Sequence, residues 1–258
     1  MMEFDDAYAI AAHIPGSEVY PDAWTQSAAA FRAVTRCEID VPYGETPRQK
    51  MDVFYPSHTA KGFVVFVHGG YWLGFDKSFW SHLAAGPLSH GWAVAVPSYE
   101  LCPDVNISEI GRQVAKAIAF TADRVAGPIR LVGHSAGGHL VTRVVALPDA
   151  TGWQKRVQKI VAISPVADLA PLMQTAMNCD LKLTKAEALR ESPVHQPAPN
   201  LPVTVWVGAD ERPVFIVQAH ALARAWDCKI VVAPDRHHFD VIEGMADQSS
   251  GLLDEIML

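Results

Sequence analysis

The sequence feature that most limits the fold of this chain is a short glycine-rich segment near its middle. Residues 133–137 read Gly-His-Ser-Ala-Gly, with a β-branched run at 129–132 before them and a helix-capable run at 139–147 after them. This strand–turn–helix setting of G-x-S-x-G is the pattern of a nucleophile elbow, in which glycines permit a turn tight enough to leave the serine at its apex. The segment predicts Ser135 as a nucleophile. A glycine-rich turn with a serine of no catalytic role would have the same sequence pattern and is the alternative.

Strand and helix patterns alternate along the rest of the chain. Helical patterns follow Asn106 and cover Pro213–Trp226, and a pair of short runs at 37–41 and 51–55 indicates an antiparallel hairpin at a sheet edge. Continuous apolar runs are typical of a parallel sheet buried on both faces. Such runs lie at 62–67, 92–96, 159–163, 202–207 and 229–233. We therefore predict an α/β fold, with a mostly parallel sheet and helices on both faces, in one domain over residues 1–258.

Two segments depart from this rhythm. Residues 1–33 are helical in part, and they read equally as a packing helix or as part of a lid. Residues 166–199 lose the strand–helix alternation, carry several Met and Leu residues and end in a proline-rich stretch. We interpret this insertion as a small cap or pocket wall.

Charge and cysteine usage exclude several classes of partner. The 258 residues carry a net charge of −7 and no basic run, which argues against nucleic acid and anionic membranes. The acidic N-terminus does not resemble a signal peptide, and no apolar run reaches the ~20 residues that span a bilayer.

Four scattered cysteines read as reduced thiols of a cytoplasmic protein, and the 11 histidines show no metal-ligand spacing. We expect no metal or other cofactor, and the sequence carries no signal for an oligomeric state.

The residues that a nucleophilic serine needs follow it in the right order. A serine hydroxyl requires a base within hydrogen-bond reach and an acid that orients the base, and after a nucleophile elbow they come in the order acid, then histidine. Asp210 and Glu211 follow the strand predicted at 202–207, and His237 and His238 follow the strand predicted at 229–233. Neighbouring residues of an extended segment face opposite ways, so only one histidine can reach Ser135.

Donors for a developing oxyanion are predicted at two places. One is the backbone N–H of Ala136, the residue after the nucleophile. The others are the N–H groups of Gly69, Gly70 and Tyr71, which follow a buried strand in the run His-Gly-Gly-Tyr-Trp at 68–72. We interpret Trp72, with Tyr71, as lining an aryl or acyl pocket, and ordinary core packing is the alternative.

Taken together, these motifs resemble a known enzyme group. The run at 68–72, the elbow at 133–138 and the pair His238-Phe239 are similar to α/β-hydrolases of the kynurenine formamidase (arylformamidase) type, which lie near the hormone-sensitive-lipase-like carboxylesterases. The resemblance covers roughly residues 38 to 245, and the related esterases usually have a third glycine where Tyr71 stands. It implies a cofactor-free serine hydrolase that cleaves a small aryl formamide such as N-formylkynurenine and releases formate.

The resemblance also bears on the acid and the base. The family places its acid three residues after a glycine and two before a proline, which selects Glu211, whereas the family's usual residue type is aspartate and selects Asp210. We favour Glu211 and keep Asp210 as the alternate. His238 precedes Phe239 as in the family motif and is the predicted base. His134 is interpreted as packing behind the elbow.

Two other functions remain open at this point. A general short-chain carboxylesterase would use the same chemistry on a small acyl ester, and only the shape of its pocket would differ. A non-catalytic binding module would keep the fold and lose the catalytic residues, and the filled serine, acid and histidine positions count against it.

Overall fold

A single sheet of eight strands organises the residues that the computed structural model describes, 4–147 and 152–258. The strands are Cys37–Pro42 (β1), Lys50–Phe54 (β2), Phe63–Val67 (β3), Ala93–Pro97 (β4), Ile129–His134 (β5), Val157–Ile163 (β6), Val203–Gly208 (β7) and Lys229–Ala233 (β8). Their order across the sheet is β1-β2-β4-β3-β5-β6-β7-β8. The β1–β2 and β2–β4 pairs are antiparallel and the other neighbours are parallel. The predicted edge hairpin is β1–β2.

Helices cover both faces of this sheet. One face packs against α3, α4 and α7, and the other packs against α1, α2 and α8. The helices are Tyr20–Val34 (α1), Ala85–Ser89 (α2), Ile107–Arg124 (α3), Ala136–Val144 (α4), Asn178–Leu181 (α5), Lys185–Glu191 (α6), Pro213–Trp226 (α7) and Gly251–Met257 (α8). This arrangement confirms the predicted α/β fold class.

The local sequence explains where these elements begin. The central strands β3 and β4 are buried at every position, as their continuous apolar runs predict. The helix α3 begins where the side chain of Asn106 accepts a hydrogen bond from the backbone N–H of Glu109, 2.9 Å away.

The order of the strands fixes where a ligand can bind. The chain leaves β3 for β4 on one side and then returns to β5 on the other side of β3. In an open parallel sheet, such a reversal opens a crevice at the carboxyl ends of the strands, and ligands bind there. The loop after β3 and the turn after β5 both lie at this crevice.

Residues 166–199 form the short helices α5 and α6 and two single turns of 3₁₀ helix. Within this insertion, Glu191 is buried, and its carboxylate forms an ion pair with Arg143 of α4, at 2.9 Å, and accepts a hydrogen bond from the hydroxyl of Ser108 of α3, at 2.8 Å. These contacts join the insertion to the helices on one face of the sheet. Its function as a cap stays a prediction, and none of its residues lines the cavity at the crevice.

No helix in residues 4–147 and 152–258 is both long enough and apolar enough to cross a membrane. The same residues contain no cluster of three or more histidine, cysteine or acidic side chains that could hold a metal ion.

A buried carboxylate joins α8 to three neighbouring strands. Glu255 accepts hydrogen bonds from Lys159 of β6, at 2.6 Å, from Thr204 of β7, at 2.6 Å, and from Lys229 of β8. Desolvation raises the pKa of Glu255, but the hydrogen bonds from these three side chains outweigh it and bring the pKa from 4.5 down to about 2. Glu255 therefore stays ionised in the folded protein at acidic pH.

We expect Glu255→Gln to lower the free energy of unfolding near neutral pH by about 3 kcal/mol, because it leaves the buried Lys159 without its anionic partner. Since the pKa is depressed in the folded state, this stabilisation is present above pH 4.5 and is lost as the pH falls towards 2. Urea unfolding at neutral and at acidic pH measures the effect, with the exposed Glu45→Gln as the control. A difference from wild type that does not narrow at acidic pH would contradict this account.

Candidate active site

Ser135 stands at the apex of a sharp turn between β5 and α4. Its φ angle is +56°, in the left-handed region, and its backbone N–H donates to the carbonyl of Ile163 at 2.8 Å. The flanking glycines, Gly133 and Gly137, cannot be replaced by residues that have a side chain. A Cβ on Gly133 would lie 2.1 Å from the carbonyl oxygen of Gly137, and a Cβ on Gly137 would lie 1.9 Å from that of Val67. The turn therefore requires both glycines, as the elbow pattern predicts.

A histidine and a carboxylate meet beside this turn. His238 follows β8 and Glu211 follows β7, and the two side chains are buried. The Nδ1 atom of His238 lies 2.5 Å from Oε2 of Glu211. A carboxylate only accepts, so Nδ1 carries the proton and Nε2 carries the lone pair. Among the described residues Nε2 finds no hydrogen-bond partner, and it is available to accept a proton.

The other oxygen of Glu211 is held by two donors. Its Oε1 accepts from the backbone N–H of Gly208 at 2.8 Å and from the hydroxyl of Ser164 at 2.5 Å. Ser164 directly follows β6 and has a φ angle of +48°. Sequence reasoning missed Ser164, since a serine before a proline at a strand end carries no distinctive signal.

Asp210 and His237, the sequence neighbours of Glu211 and His238, make other contacts. Asp210 is exposed, and its backbone N–H donates to the carbonyl of Arg236 at 2.9 Å. The Nε2 atom of His237 lies 3.1 Å from the hydroxyl of Tyr20, and its Nδ1 atom accepts from the N–H of Phe239 at 3.1 Å. Of the two adjacent pairs, the structure brings only Glu211 and His238 together.

The loop after β3, residues 68–75 (the β3 loop), lies against the serine. A Cβ on Gly69 would come within 2.9 Å of the Cβ of Ser135. In the described residues, the backbone N–H groups of Gly70 and Tyr71 donate no hydrogen bond, whereas the carbonyl of Gly70 accepts two. Ala136 is the first residue of α4, and no carbonyl of that helix can accept its N–H. Among the described residues, backbone N–H groups without an acceptor therefore occur in the β3 loop and at the start of α4, on either side of Ser135 in the sequence, and their assignment to an oxyanion stays a prediction.

The β3 loop has an unusual backbone. Gly70 has a φ angle of +105°, and the next two residues, Tyr71 and Trp72, have φ angles of +53° and +58°. A residue with a side chain pays about 1 kcal/mol for this conformation. Contacts of the two side chains offset that cost.

Trp72 lies in the core rather than at the cavity, so the interpretation of Trp72 as a pocket residue differs from its observed position. It is fully buried, its ring meets the ring of His139 edge-on at 5.0 Å between centroids, and its carbonyl accepts from Cys102 at 2.9 Å. The left-handed backbone turns this side chain away from the crevice. Tyr71, one residue earlier, does line the cavity.

A cavity of about 360 Å³ opens beside Ser135 and His238. Its wall is mostly apolar, and part of it comes from the N-terminal segment and α1. The lining residues are Tyr8, Ala9, Ile10, Ala11, Ala12, Trp24, Gly69, Gly70, Tyr71, Phe75, Trp80, His134, Ser135, His238 and Phe239. Of the segment 1–33, residues 1–3 lie outside the described residues, α1 packs on one face of the sheet, and residues 8–12 line the cavity.

His134 also faces this cavity. It is buried, and the centroid of its ring lies 4.6 Å from that of His238. Burial lowers the pKa of His134 well below its usual range, and the neighbouring His238 lowers it further. His134 is therefore a neutral wall of the cavity, and not only packing behind the turn.

Known proteins resemble this chain in sequence. The BD-FAE family model matches residues 51–247. A kynurenine formamidase from Salmo salar is 30% identical over 84% of this chain and 79% of its own length, and one from Danio rerio is 29% identical over 88% and 83%.

Solved structures give the same picture of the fold. A crystal structure from Silicibacter sp. TM1040, described provisionally as a thioesterase, superposes with a TM-score of 0.96 at 50% identity and covers 100% of both chains. An esterase from Pyrobaculum calidifontis superposes with a TM-score of 0.71 at 20% identity, over 93% of this chain and 92% of its own. The chain therefore belongs to the BD-FAE family of α/β-hydrolases, alongside the kynurenine formamidase homologues that match most of its length.

Proposed function

We propose that this chain hydrolyses small acyl compounds by nucleophilic catalysis at Ser135. One observation carries the proposal: in the His238–Glu211 pair, Nε2 of His238 has no hydrogen-bond partner among the described residues, and it belongs to a side chain that lines the same cavity as Ser135. A base oriented by a carboxylate is what a serine hydroxyl needs in order to attack an acyl carbon at neutral pH.

The reaction proceeds in two halves. The Oγ atom of Ser135 bonds to the acyl carbon while its proton passes to Nε2 of His238, and Glu211 stabilises the imidazolium that forms. The tetrahedral intermediate collapses when the bond to the leaving group breaks and the leaving group takes the proton from His238. A water then gives a proton to His238 and bonds to the acyl carbon, and the acid product leaves as Oγ regains a proton.

Backbone donors stabilise the negative oxygen of each intermediate. We assign this role to the N–H groups of Gly70, Tyr71 and Ala136, with Gly69 shaping the approach of the β3 loop to Ser135. Removing one such donor from a hydrolase costs about 3 kcal/mol of transition-state stabilisation, so their position is a large part of the catalysis.

For the substrate we propose a small aryl formamide, of which N-formylkynurenine is the example. The aromatic rings of Trp24, Phe75, Trp80 and Phe239 line the cavity and suit an aryl leaving group. The relatives from Salmo salar and Danio rerio that carry the name kynurenine formamidase support this choice.

A second candidate is a short-chain ester or thioester. The structure from Silicibacter sp. TM1040 favours it, because that protein is 50% identical over its whole length and is described provisionally as a thioesterase. The proposed steps at Ser135 are the same for an oxygen, sulfur or nitrogen leaving group.

We further propose that the protein works in the cytoplasm on a freely diffusing acyl compound. All four cysteines are free thiols, which fits a reducing compartment. The net charge of −7 is unfavourable for binding to nucleic acid.

We expect kcat/KM for N-formylkynurenine to exceed that for a p-nitrophenyl ester whose acyl chain has about eight carbons or more, because the cavity is compact and walled by aromatic rings. Phenyl acetate and phenyl thioacetate are matched short substrates for the second candidate. Initial rates over a range of concentrations of all four compounds make the comparison. Faster turnover of the short esters would favour the second candidate, and faster turnover of the long ester would contradict both.

A further inference from the structure

The β3 loop holds two consecutive non-glycine residues, Tyr71 and Trp72, in the left-handed conformation. Such residues persist only where their surroundings hold them, and they cluster at functional sites. The N–H groups of Gly70 and Tyr71, which the proposed function uses, belong to this part of the loop. What holds Tyr71 therefore bears directly on the position of the proposed oxyanion donors.

Each of the two residues has its own anchor. Trp72 is anchored by the core, through its ring contact with His139 and the hydrogen bond to its carbonyl. Tyr71 is anchored by a different contact, in which its hydroxyl donates to the backbone carbonyl of Tyr8 at 2.8 Å. Tyr8 belongs to residues 4–14, a segment that we call the N-terminal strap.

The strap is itself fixed at the point where Tyr71 is bound. The side chain of Tyr8 is buried and its hydroxyl accepts from Nε2 of Gln218 on α7, at 2.9 Å. The Oε1 atom of Gln218 accepts from the backbone N–H groups of Ala167 and Asp168. The side chain of Tyr8 is therefore joined to α7 and to residues 167–168 by a chain of hydrogen bonds, which fixes the residue whose carbonyl binds Tyr71.

A second contact fixes the strap over the loop that carries Glu211. Asp6 forms an ion pair with Arg212 at 2.7 Å, and its other oxygen lies 2.8 Å from Nε2 of His13. The strap thus touches the β3 loop at Tyr71 and the acid loop at Arg212. Its residues 8–12 form part of the wall of the cavity.

We infer that Tyr71 is a positioning residue, whose hydroxyl is held by the Tyr8 carbonyl and keeps the N–H groups of the β3 loop in place for the oxyanion. The inference rests on the proposed function and makes the N-terminal strap part of the catalytic apparatus. Where the related esterases usually have a glycine, this chain has a side chain that replaces conformational freedom with a fixed anchor.

The protonation of Tyr71 agrees with this role. Burial raises the pKa of Tyr71 well above its usual range, and the hydroxyl of Tyr8 nearby raises it further. The hydroxyl therefore remains a hydrogen-bond donor at neutral pH and well above it.

The test compares two tyrosines whose hydroxyls each donate to a backbone carbonyl. Tyr71→Phe removes the bond to the strap and keeps the aromatic wall of the cavity. Tyr43→Phe is the matched control, because the buried Tyr43 also donates to a backbone carbonyl, that of Ser98 at 2.5 Å, and it does not line the cavity. We expect kcat of Tyr71→Phe to fall about tenfold with KM nearly unchanged, since one positioning hydrogen bond acts mainly in the transition state. We expect Tyr43→Phe to keep the kcat of the wild type.

Inhibition by a transition-state analogue gives a second measurement, which would not change if Tyr71 served only the stability of the fold. Phenyl trifluoromethyl ketone forms an adduct with a nucleophilic serine that carries a negative oxygen, so its inhibition constant reports on the oxyanion donors. We expect inhibition of Tyr71→Phe to weaken by the same factor as kcat, with thermal unfolding of both variants measured alongside. An unchanged kcat, a rise confined to KM, or equal losses of kcat in Tyr71→Phe and Tyr43→Phe would each overturn the inference.

The failure of this inference is distinguishable from failure of the proposed function. Loss of activity in Ser135→Ala together with an unchanged Tyr71→Phe overturns only the positioning role. Activity that survives in Ser135→Ala overturns the proposed function and the inference that rests on it.

Discussion

Ser135→Ala is expected to lower kcat by about 10⁶-fold while the protein stays folded, because removing the nucleophile of a serine hydrolase removes nearly all of its chemistry. The fold is expected to tolerate the change, since the Oγ atom of Ser135 makes no hydrogen bond with the described residues and alanine meets the same backbone strain. Rates with the best substrate and thermal unfolding of both proteins measure the effect. Ser249→Ala, at an exposed serine away from the cavity, is the control.

A covalent probe makes the same test independent of the substrate. A fluorophosphonate is expected to label Ser135, and trypsin would release it in the peptide of residues 131–143, in which Ser135 is the only serine. Labelling of a different peptide, or near-normal turnover by Ser135→Ala, would rule out the proposed mechanism. Tight binding of the substrate by a wild-type protein that is neither labelled nor active would point instead to a binding module.

Glu211→Gln is expected to lower kcat by about 10⁴-fold with little change in KM, as the equivalent change does in other triads. The amide keeps the size of the side chain, and it removes the charge that stabilises the imidazolium of His238. It also presents an amide to Nδ1, so the tautomer of the histidine is no longer fixed. The pH dependence of kcat and a thermal unfolding curve separate this loss from a loss of folded protein.

Asp210→Asn is the matched control for the acid. Asp210 is exposed one residue before Glu211, and we expect its loss to cost at most about 1 kcal/mol of stability and to leave kcat at the wild-type level. The opposite pattern, in which Asp210→Asn is nearly inactive and Glu211→Gln is nearly normal, would mean that the acid is misassigned by one residue.

The acid shows where sequence reasoning reached its limit. Residue type and positional counting pointed to different neighbours, Asp210 and Glu211, and both stood in the same short loop after β7. The choice depends on which side chain turns inward beside β8, and that direction follows from three-dimensional packing. Gly208 and Ser164 determine it here, since they donate to the inward carboxylate of Glu211.

The aromatic pair after the two glycines shows a second limit. The run of residue types does not tell which of Tyr71 and Trp72 faces a ligand, and the interpretation placed both at the pocket. The backbone of the β3 loop is left-handed at both positions, so the direction of each side chain cannot be read from the alternation of an extended strand. The side chain of Trp72 packs in the core, and that of Tyr71 lines the cavity.

The sequence by itself determined the fold class, the sharp turn at Ser135 and the approximate places of Glu211 and His238, the partners that we propose for it. These features depend on local physics: apolar runs that require burial, glycines that alone fit a tight turn, and the order in which parallel strands bring their ends to one crevice. Only the tertiary structure decided that residues 8–12 wall the cavity, that Ser164 holds Glu211 and that the strap binds Tyr71. Those contacts join residues far apart in the chain, from Tyr8 to Tyr71 and from Ser164 to Glu211, and no local pattern encodes which distant groups will pack together.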